Sequence, residues 1–302
     1  MLLESVLTGA VRGGTSILYA ALGETVAERA GVIYLGTEGS MIAGALAAYI
    51  VGIRTGSPWL GVLAGMAAGA ALALVHAFVV LGRGANQIAT GMMVTFLGLG
   101  LTNMFGQDYV GLGVNPIPVA PIPLLADLPF VGPILFDHDP LTYLSLLAVP
   151  AVWLVLQRTR AGLVLRAAGE RPEVLSVYGV SPTAVRWRAL AVAGALIGLG
   201  GAQLSTAFTL NWSENMTAGR GFVAVALVIF AGWDPRKTIA AAYLFSGTIA
   251  LQLQLQARGV ELSPYLLQAA PYLVVIGVLA LLSARRAYSG PEALGRVFEP
   301  TK

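Results

Sequence analysis

Glu38 is a carboxylate set in an otherwise apolar run, VIYLGTEGSM over residues 32–41. A charge in the middle of a membrane helix costs about 2.5–3.5 kcal/mol, so one that is kept must face protein or water. Gly31, Gly36 and Gly39 surround it and point to a broken helix, where free amides can meet a polar ligand. Two readings stand. Either Glu38, Gly39 and Ser40 border a path for a polar solute, or Glu38 is structural, paired with Arg29 or capping a helix end. Uncharged polar groups follow downstream: Asn86, Gln87, Thr90, Thr95 and Asn103 in one apolar segment, Gln203 in a later one, then Gln252, Gln254 and Gln256. Hydrogen bonds between helices account for most such groups. Together they suit a path for a neutral, hydroxyl- or amide-rich solute better than one for an ion.

The second cluster is cationic. Residues 158–188, RTRAGLVLRAAGERPEVLSVYGVSPTAVRWR, hold six of the 18 Lys and Arg residues. In a membrane chain such a cluster marks the cytoplasmic side, because Lys and Arg resist translocation. Within it, after Glu170 and Arg171, a short helix is written from end to end. Pro172 suits a first helical position, Glu173 complements the positive end of the dipole, and Gly179 suits the left-handed residue that closes a helix. Val174, Leu175 and Tyr178 then form one apolar strip. Ser181-Pro182 starts the next long helix. A helix of roughly seven residues is unstable alone in water, so this one needs a surface to dock against, with Leu175 and Tyr178 as its anchors.

The elements that must position these groups are membrane helices. The chain is 57% hydrophobic and 11% charged, with mean hydropathy +0.77; soluble domains carry about 25% charged residues. The expectation is an all-α polytopic protein forming one transmembrane domain over residues 1–302. Its segments run at about 5–22, 32–53, 58–81, 86–105, 141–157, 182–209, 222–233, 238–256 and 264–283. Residues 24–31 read as a polar turn. The segment at 222–233 is below the roughly 20 residues needed to span, and reads as a half-helix followed by a turn at WDPRK. Residues 106–140 form a long proline-rich loop. The N-terminal run MLLESVL has no basic n-region, so the first helix is expected to be retained.

With the arginine loop inside, alternating sides places fourteen Lys and Arg in cytoplasmic segments and only Arg54, Arg220 and Arg258 outside, with Arg12 inside the first helix. That puts the N-terminus outside, the C-terminus in the cytoplasm, and about nine full or half helices between them. Loop 106–140 is then extracytoplasmic; it has no Lys or Arg but contains Asp108, Asp127, Asp137 and Asp139. Glycines 61, 65 and 69 with Ala73, and Gly194 and Gly198 with Ala202, make two stripes of small residues suited to close helix contact.

Absences narrow the function. Without cysteine there is no disulfide, thiol catalysis or cysteine-held metal. His76 reads as a packed polar residue and His138 as a loop residue, so the two build no metal site. The lysines, Lys237 and Lys302, end no phosphate-binding loop, so the chain cannot hold ATP by that motif. No nucleophile–base set marks an enzyme. No series of buried acids or histidines marks a self-sufficient secondary carrier, the rival reading. The charge of +3 follows from the loop arginines and calls for no nucleic acid. A path without an energy source wants an external motor, and the short helix is where one could attach.

ERAGVIYLGTEGSMIAGA (28–45), GANQIATGMM (84–93), RAAGERPEVLSVYGVSPTAVRW (166–187) and ENMTAGRGFVAVALVIFAGWDP (214–235) resemble the permease subunits of bacterial ABC importers. The similar branch is the simple-sugar and nucleoside type, within the ribose and branched-chain amino-acid permeases. The chain departs from the family pattern at Tyr34, Thr37 and Ser40. The resemblance implies a multi-pass protein of the bacterial inner membrane that carries a nucleoside or similar neutral solute. It implies a second permease, homologous or identical, an extracytoplasmic solute-binding lipoprotein, and an ATP-binding subunit that holds ATP and Mg. It makes Pro172–Tyr178 the coupling helix that enters a groove of that subunit.

The absence of cysteine makes the topology directly testable. Val119→Cys should react with an impermeant thiol reagent from outside the cell, and Ser176→Cys only after permeabilisation. Labelling of Ser176→Cys in intact cells would overturn the orientation.

Overall fold

The computed structural model describes residues 2–259, 263–283, 290–295 and 298, and among them every regular element is helical. Twelve helices follow in order: α1 Leu2–Arg29, α2 Thr37–Thr55, α3 Pro58–Ala77, α4 Gln87–Gly106, α5 Val131–Leu135, α6 Pro140–Arg158, α7 Arg160–Glu170, α8 Pro172–Val177, α9 Pro182–Gln203, α10 Arg220–Phe230, α11 Pro235–Ala257 and α12 Pro264–Ser283. A π-helical turn extends α3 over Phe78–Gly82 and α9 over Leu204–Phe208. Among the described residues five helices are long and apolar enough to cross a membrane: Pro58–Gly82, Gln87–Tyr109, Pro140–Arg158, Pro182–Phe208 and Pro235–Ala257.

Four helix starts are a capping side chain followed by proline. Ser57, Asp139, Ser181 and Asp234 each accept a backbone N–H of their own first turn, and each precedes a proline. Asn86 and Thr159 cap α4 and α7 in the same way without one.

Two boundaries differ from expectation. The stretch expected as a polar turn at 24–31 is helix as far as Arg29, and the second helix begins at Thr37 instead of Val32. The reason is local satisfaction of charge. Glu24 and Glu28 are buried in α1 and take their partners from the irregular segment 32–36 and from Trp233, so they need no water. The arginine loop is also more ordered than expected. It contains α7 as well as the short helix, with Gly162 folding tightly against the end of α6 near Leu156.

The bundle is centred on α1, which has 18 of its 28 residues buried, and on α9. The two small-residue stripes face each other across α3 and α9. A Cβ on Gly69 would lie 2.7 Å from Gly198 Cα, and one on Gly65 would lie 2.9 Å from Ala202 Cβ. Gly44 on α2 meets Gly198 as well, at 2.6 Å for a built Cβ, so α2, α3 and α9 approach backbone to backbone.

Hydrogen bonds sort the connections into two ends. At one, Thr8 of α1 donates to Pro133 O (3.3 Å), the Tyr49 hydroxyl to Leu112 O, and Ile117 N to Thr206 O (3.1 Å), which gathers the start of α1 with loop 106–140. At the other, Arg186 donates to Ala30 O (3.2 Å) and Ala168 O (2.8 Å), and Ala293 N to Gly169 O (2.8 Å). The described tail residues and the arginine loop thus share the end opposite the start of α1.

The backbone contact of α3 with α9 predicts a sharp asymmetry among glycines. Gly69→Val should cost at least the 1–3 kcal/mol typical of overpacking and lower the yield of monodisperse protein. Gly100→Ala, where a Cβ meets nothing within 4 Å, should leave the thermal midpoint unchanged or raised. Equal behaviour of the two variants in a thermal unfolding assay would contradict this packing.

Candidate functional site

The charged residues of α1 and α2 converge on the half-helix α10, whose 11 residues are too few to cross a membrane. Its N-terminus is held by Glu38. Oε1 accepts from Thr217 Oγ1 (2.5 Å) and Gly219 N (2.9 Å), and Oε2 accepts from Gly221 N (2.6 Å). Glu38 is only 2% exposed, and both its oxygens are taken by this one turn. A carboxylate there also meets the positive end of the helix dipole. Of the two sequence readings of Glu38, the geometry is that of a helix cap, made by a side chain 179 residues distant from Thr217. A Cβ on Gly221 would meet Glu38 N and Cα at 2.5 Å, so only glycine admits this approach.

The far end of α10 is held from α1. Trp233, at a left-handed φ of 56°, donates its indole N–H to Glu28, and Arg29 donates to Trp233 O (3.1 Å) and Gly232 O (3.5 Å). The short turn that follows ends at Asp234. Its own burial raises the Asp234 carboxyl, but hydrogen bonds and charge from Arg236 outweigh that and hold it below its ordinary value. Glu24, one turn before Glu28 in α1, accepts from Tyr34 N (3.0 Å) and Thr37 Oγ1 (2.9 Å). Three carboxylates are therefore buried where the sequence reading saw no series of buried acids. That expectation is corrected, and its source was the turn assigned to 24–31.

The three departures from the family pattern meet in this region. Tyr34 Oη lies 2.5 Å from Ser40 Oγ, Ser40 donates to Gly69 O (3.3 Å), and Thr37 bonds Glu24. His76 packs edge-on to Tyr34 with ring centres 4.8 Å apart. All of these side chains are buried.

The other predicted site residues fall into two groups. Gln87 Oε1 accepts from Ile33 N (2.7 Å), Thr95 Oγ1 donates to Leu35 O (2.9 Å), and Gly39 packs against the backbone of Thr95. These, with buried Thr90, bind α4 to the break before α2. Asn86 is spent as the cap of α4, its Oδ1 accepting from Ala89 N (3.0 Å). Asn86 and Asn103 are the exposed members of this set, and Asn103 lies on α4 near exposed Met92, Phe96 and Met104. Gln203 lies apart from them on α9 and donates to Arg12 O (3.4 Å).

Sequence reasoning missed Arg220. It leads α10 inward, donating to Gly13 O (3.0 Å) and Ser16 Oγ (3.2 Å). Beside it, Phe245, Gln252 and Tyr272 line a cavity of about 320 Å3. The signal was present in TAGRG, where an arginine stands between two glycines at a helix start.

The predicted docking helix is present but turned. α8 packs against α7 and α9, and within it Leu175 is only 6% exposed, whereas Val177 and Tyr178 stand out at 85% and 80%. This corrects the expected pairing of Leu175 with Tyr178. The helix stops at Val177, Tyr178 caps its end with its N–H still donating to Val174 O (3.3 Å), and Gly179 closes it at φ 73°. Glu170, Arg171 and Glu173 flank it, exposed.

A helical bundle with five helices long and apolar enough to cross a membrane among the described residues is that of a multi-pass membrane protein. The chain belongs to the family described as the permease component of the branched-chain amino acid transport system, whose profile matches residues 6–283. A putative glucose ABC transporter permease of Haloferax volcanii is 43% identical over 86% of this chain and 80% of its own length. A nucleoside ABC transporter permease of Lactococcus lactis is 31% identical over 92% of both chains. A guanosine ABC transporter permease of Bacillus subtilis is 30% identical over 92% of this chain and 91% of its own. No solved structure matches.

The cap by Glu38 gives a quantitative expectation. In Glu38→Gln the amide N–H2 must face a donor, leaving a buried N–H or hydroxyl of residues 217–221 unpartnered. The cost should be about 1–3 kcal/mol, seen as a lower thermal midpoint of the purified chain. An unchanged midpoint would mean that these hydrogen bonds do not hold α10.

Proposed function

We propose that this chain is the membrane-spanning subunit of an ATP-driven importer for a nucleoside or a similar neutral, sugar-like solute. It spans a cell membrane with about nine full or half helices, N-terminus outside and C-terminus in the cytoplasm. The positive-inside bias supports this, as does the hydrogen-bonded union of the arginine loop with residues 290–295. It works beside a second permease, identical or homologous, and receives solute from an extracytoplasmic binding lipoprotein. ATP and Mg sit on a separate ATP-binding subunit. The relatives named for nucleoside, guanosine and glucose transport support the solute class.

One observation carries the coupling. α8 is a six-residue helix whose inner side is seated by Leu175 and whose Val177 and Tyr178 are almost fully exposed. Large apolar side chains left exposed on a projecting helix suit a groove on a partner. In this reading Val177 and Tyr178 enter the ATPase, while Glu170, Arg171 and Glu173 frame the contact. The solute passes beside the clamped centre, along Glu38–Ser40, Gln87, Thr90, Thr95, Asn103 and Gln203. The cavity at Arg220, Gln252 and Tyr272 offers this route a guanidinium, an amide and an aromatic face.

A second reading, a self-sufficient secondary carrier, is favoured by the buried carboxylates Glu24, Glu28 and Glu38. Reconstitution separates the two. The purified chain in liposomes should show no uptake alone, and should gain ATP-dependent uptake of guanosine or glucose when its ATP-binding subunit is supplied together with the second permease and the binding lipoprotein. Val177→Ala with Tyr178→Ala should weaken that subunit's association more than tenfold, since a hot-spot anchor is worth at least about 2 kcal/mol. Uptake by the chain alone would establish the carrier, and normal association of the double variant would remove α8 from the coupling.

A further inference from the structure

An apolar groove of about 500 Å3 opens on the outside of the bundle where α6 ends, α7 turns away and α9 begins. Its volume lies within the range of small-ligand pockets, roughly 300–1,000 Å3. The walls are hydrocarbon: Val152 and Val155 from α6, Val164 and Leu165 from α7, Ala189 and Val192 from α9. Among the described residues the charged side chains at the groove are Arg160 and Arg188. Both are exposed, and neither makes a hydrogen bond or ion pair among the described residues. Their neighbours are engaged: Arg186 is buried on two carbonyls, and Arg158 lies over the Trp153 ring at 5.9 Å.

The setting says what would fill the groove. Val192 in its wall is exposed, as are Leu147 and Leu154 on α6 and Leu163 on α7, so the helices that form the groove present further apolar side chains outward. α7, with its apolar side toward the groove and arginines at its margins, suits a helix lying at the membrane–water boundary. A neutral, hydroxyl-rich solute would find no uncharged polar side chain there. A hydrocarbon slot whose lining carries two unpaired guanidiniums matches a molecule with an acyl chain and a phosphate. Guanidinium binds phosphate through paired N–H donors, and basic pockets between membrane helices take anionic headgroups.

We propose that this groove is a binding site for one anionic phospholipid, with an acyl chain along α6 and α9 and its phosphodiester between Arg160 and Arg188. The lipid braces α7 against the bundle. The site needs no assignment of solute or of cytoplasmic side, only that the arginine end lies at a membrane surface.

The test uses the full chain, purified in a neutral detergent and stripped of lipid. It is titrated with dioleoylphosphatidylglycerol or dioleoylphosphatidylcholine, which share acyl chains and differ in net charge, and binding is read by native mass spectrometry. One phosphatidylglycerol should bind on the order of tenfold more tightly than phosphatidylcholine. Arg160→Gln with Arg188→Gln should abolish that preference. The corresponding double substitution to Lys should keep much of it, as should Arg258→Gln at the opposite end of the bundle. Val192→Trp, which fills the slot, should reduce binding of both lipids. Equal binding of the two lipids by the native chain, or a preference that survives the double Gln variant, would overturn the site. So would efficient thiol cross-linking of Val192→Cys into a dimer in native membranes, which would give the face to a second copy of the chain.

Discussion

A helix that starts or stops in the dry interior of a bundle must find partners for its backbone there, because no water reaches it. α10 stops twice, and the rest of the fold is arranged to meet that demand. At its start three donors converge on Glu38; at its end Glu28 and Arg29 take hold of the Trp233 turn. The same economy governs the break before α2, where the N–H groups of Ile33 and Tyr34 go to Gln87 and Glu24, and Leu35 O receives Thr95. Acidic side chains that would be costly facing lipid are here the acceptors that make a broken helix tolerable.

This arrangement demands close quarters, and glycine supplies them. Gly221 lets the turn before α10 lie on Glu38, and Gly39 with Gly98 lets α4 lie against α2, with a Cβ on Gly98 falling 2.6 Å from Gly39 Cα. The stripe of α3 on α9 does the same at the other side of α2. Side chains cannot fill such gaps, so the packing is backbone on backbone, with dispersion and short polar contacts replacing a hydrophobic driving force that lipid does not provide.

Much of the fold was legible in the sequence. Capping residues before Pro58, Pro140, Pro182 and Pro235 mark helix starts by a local rule, and the glycine stripes announced a close contact, although not that they would meet each other. The half-length of α10 and the left-handed Gly179 were readable for the same reason, since each is decided within one turn of chain. What was illegible depends on distance. Nothing near Glu24 or Glu28 says that Tyr34, Thr37 and Trp233 will come to them, so two charged residues read as a turn. The burial of Leu175 depends on α8 packing against α7 and α9, which leaves Tyr178 of the same strip uncovered.

The account stands on the capping of α10 by Glu38, and amide hydrogen exchange reads that contact itself. In the purified chain at neutral pH, the amides of Gly219 and Gly221 should be protected to the same degree as the middle of α9. Those of Gly111 and Gly113 in the exposed loop should exchange at once. Exchange at Gly219 and Gly221 as fast as in that loop would contradict a buried carboxylate cap and, with it, the clamped centre on which the fold is argued to depend.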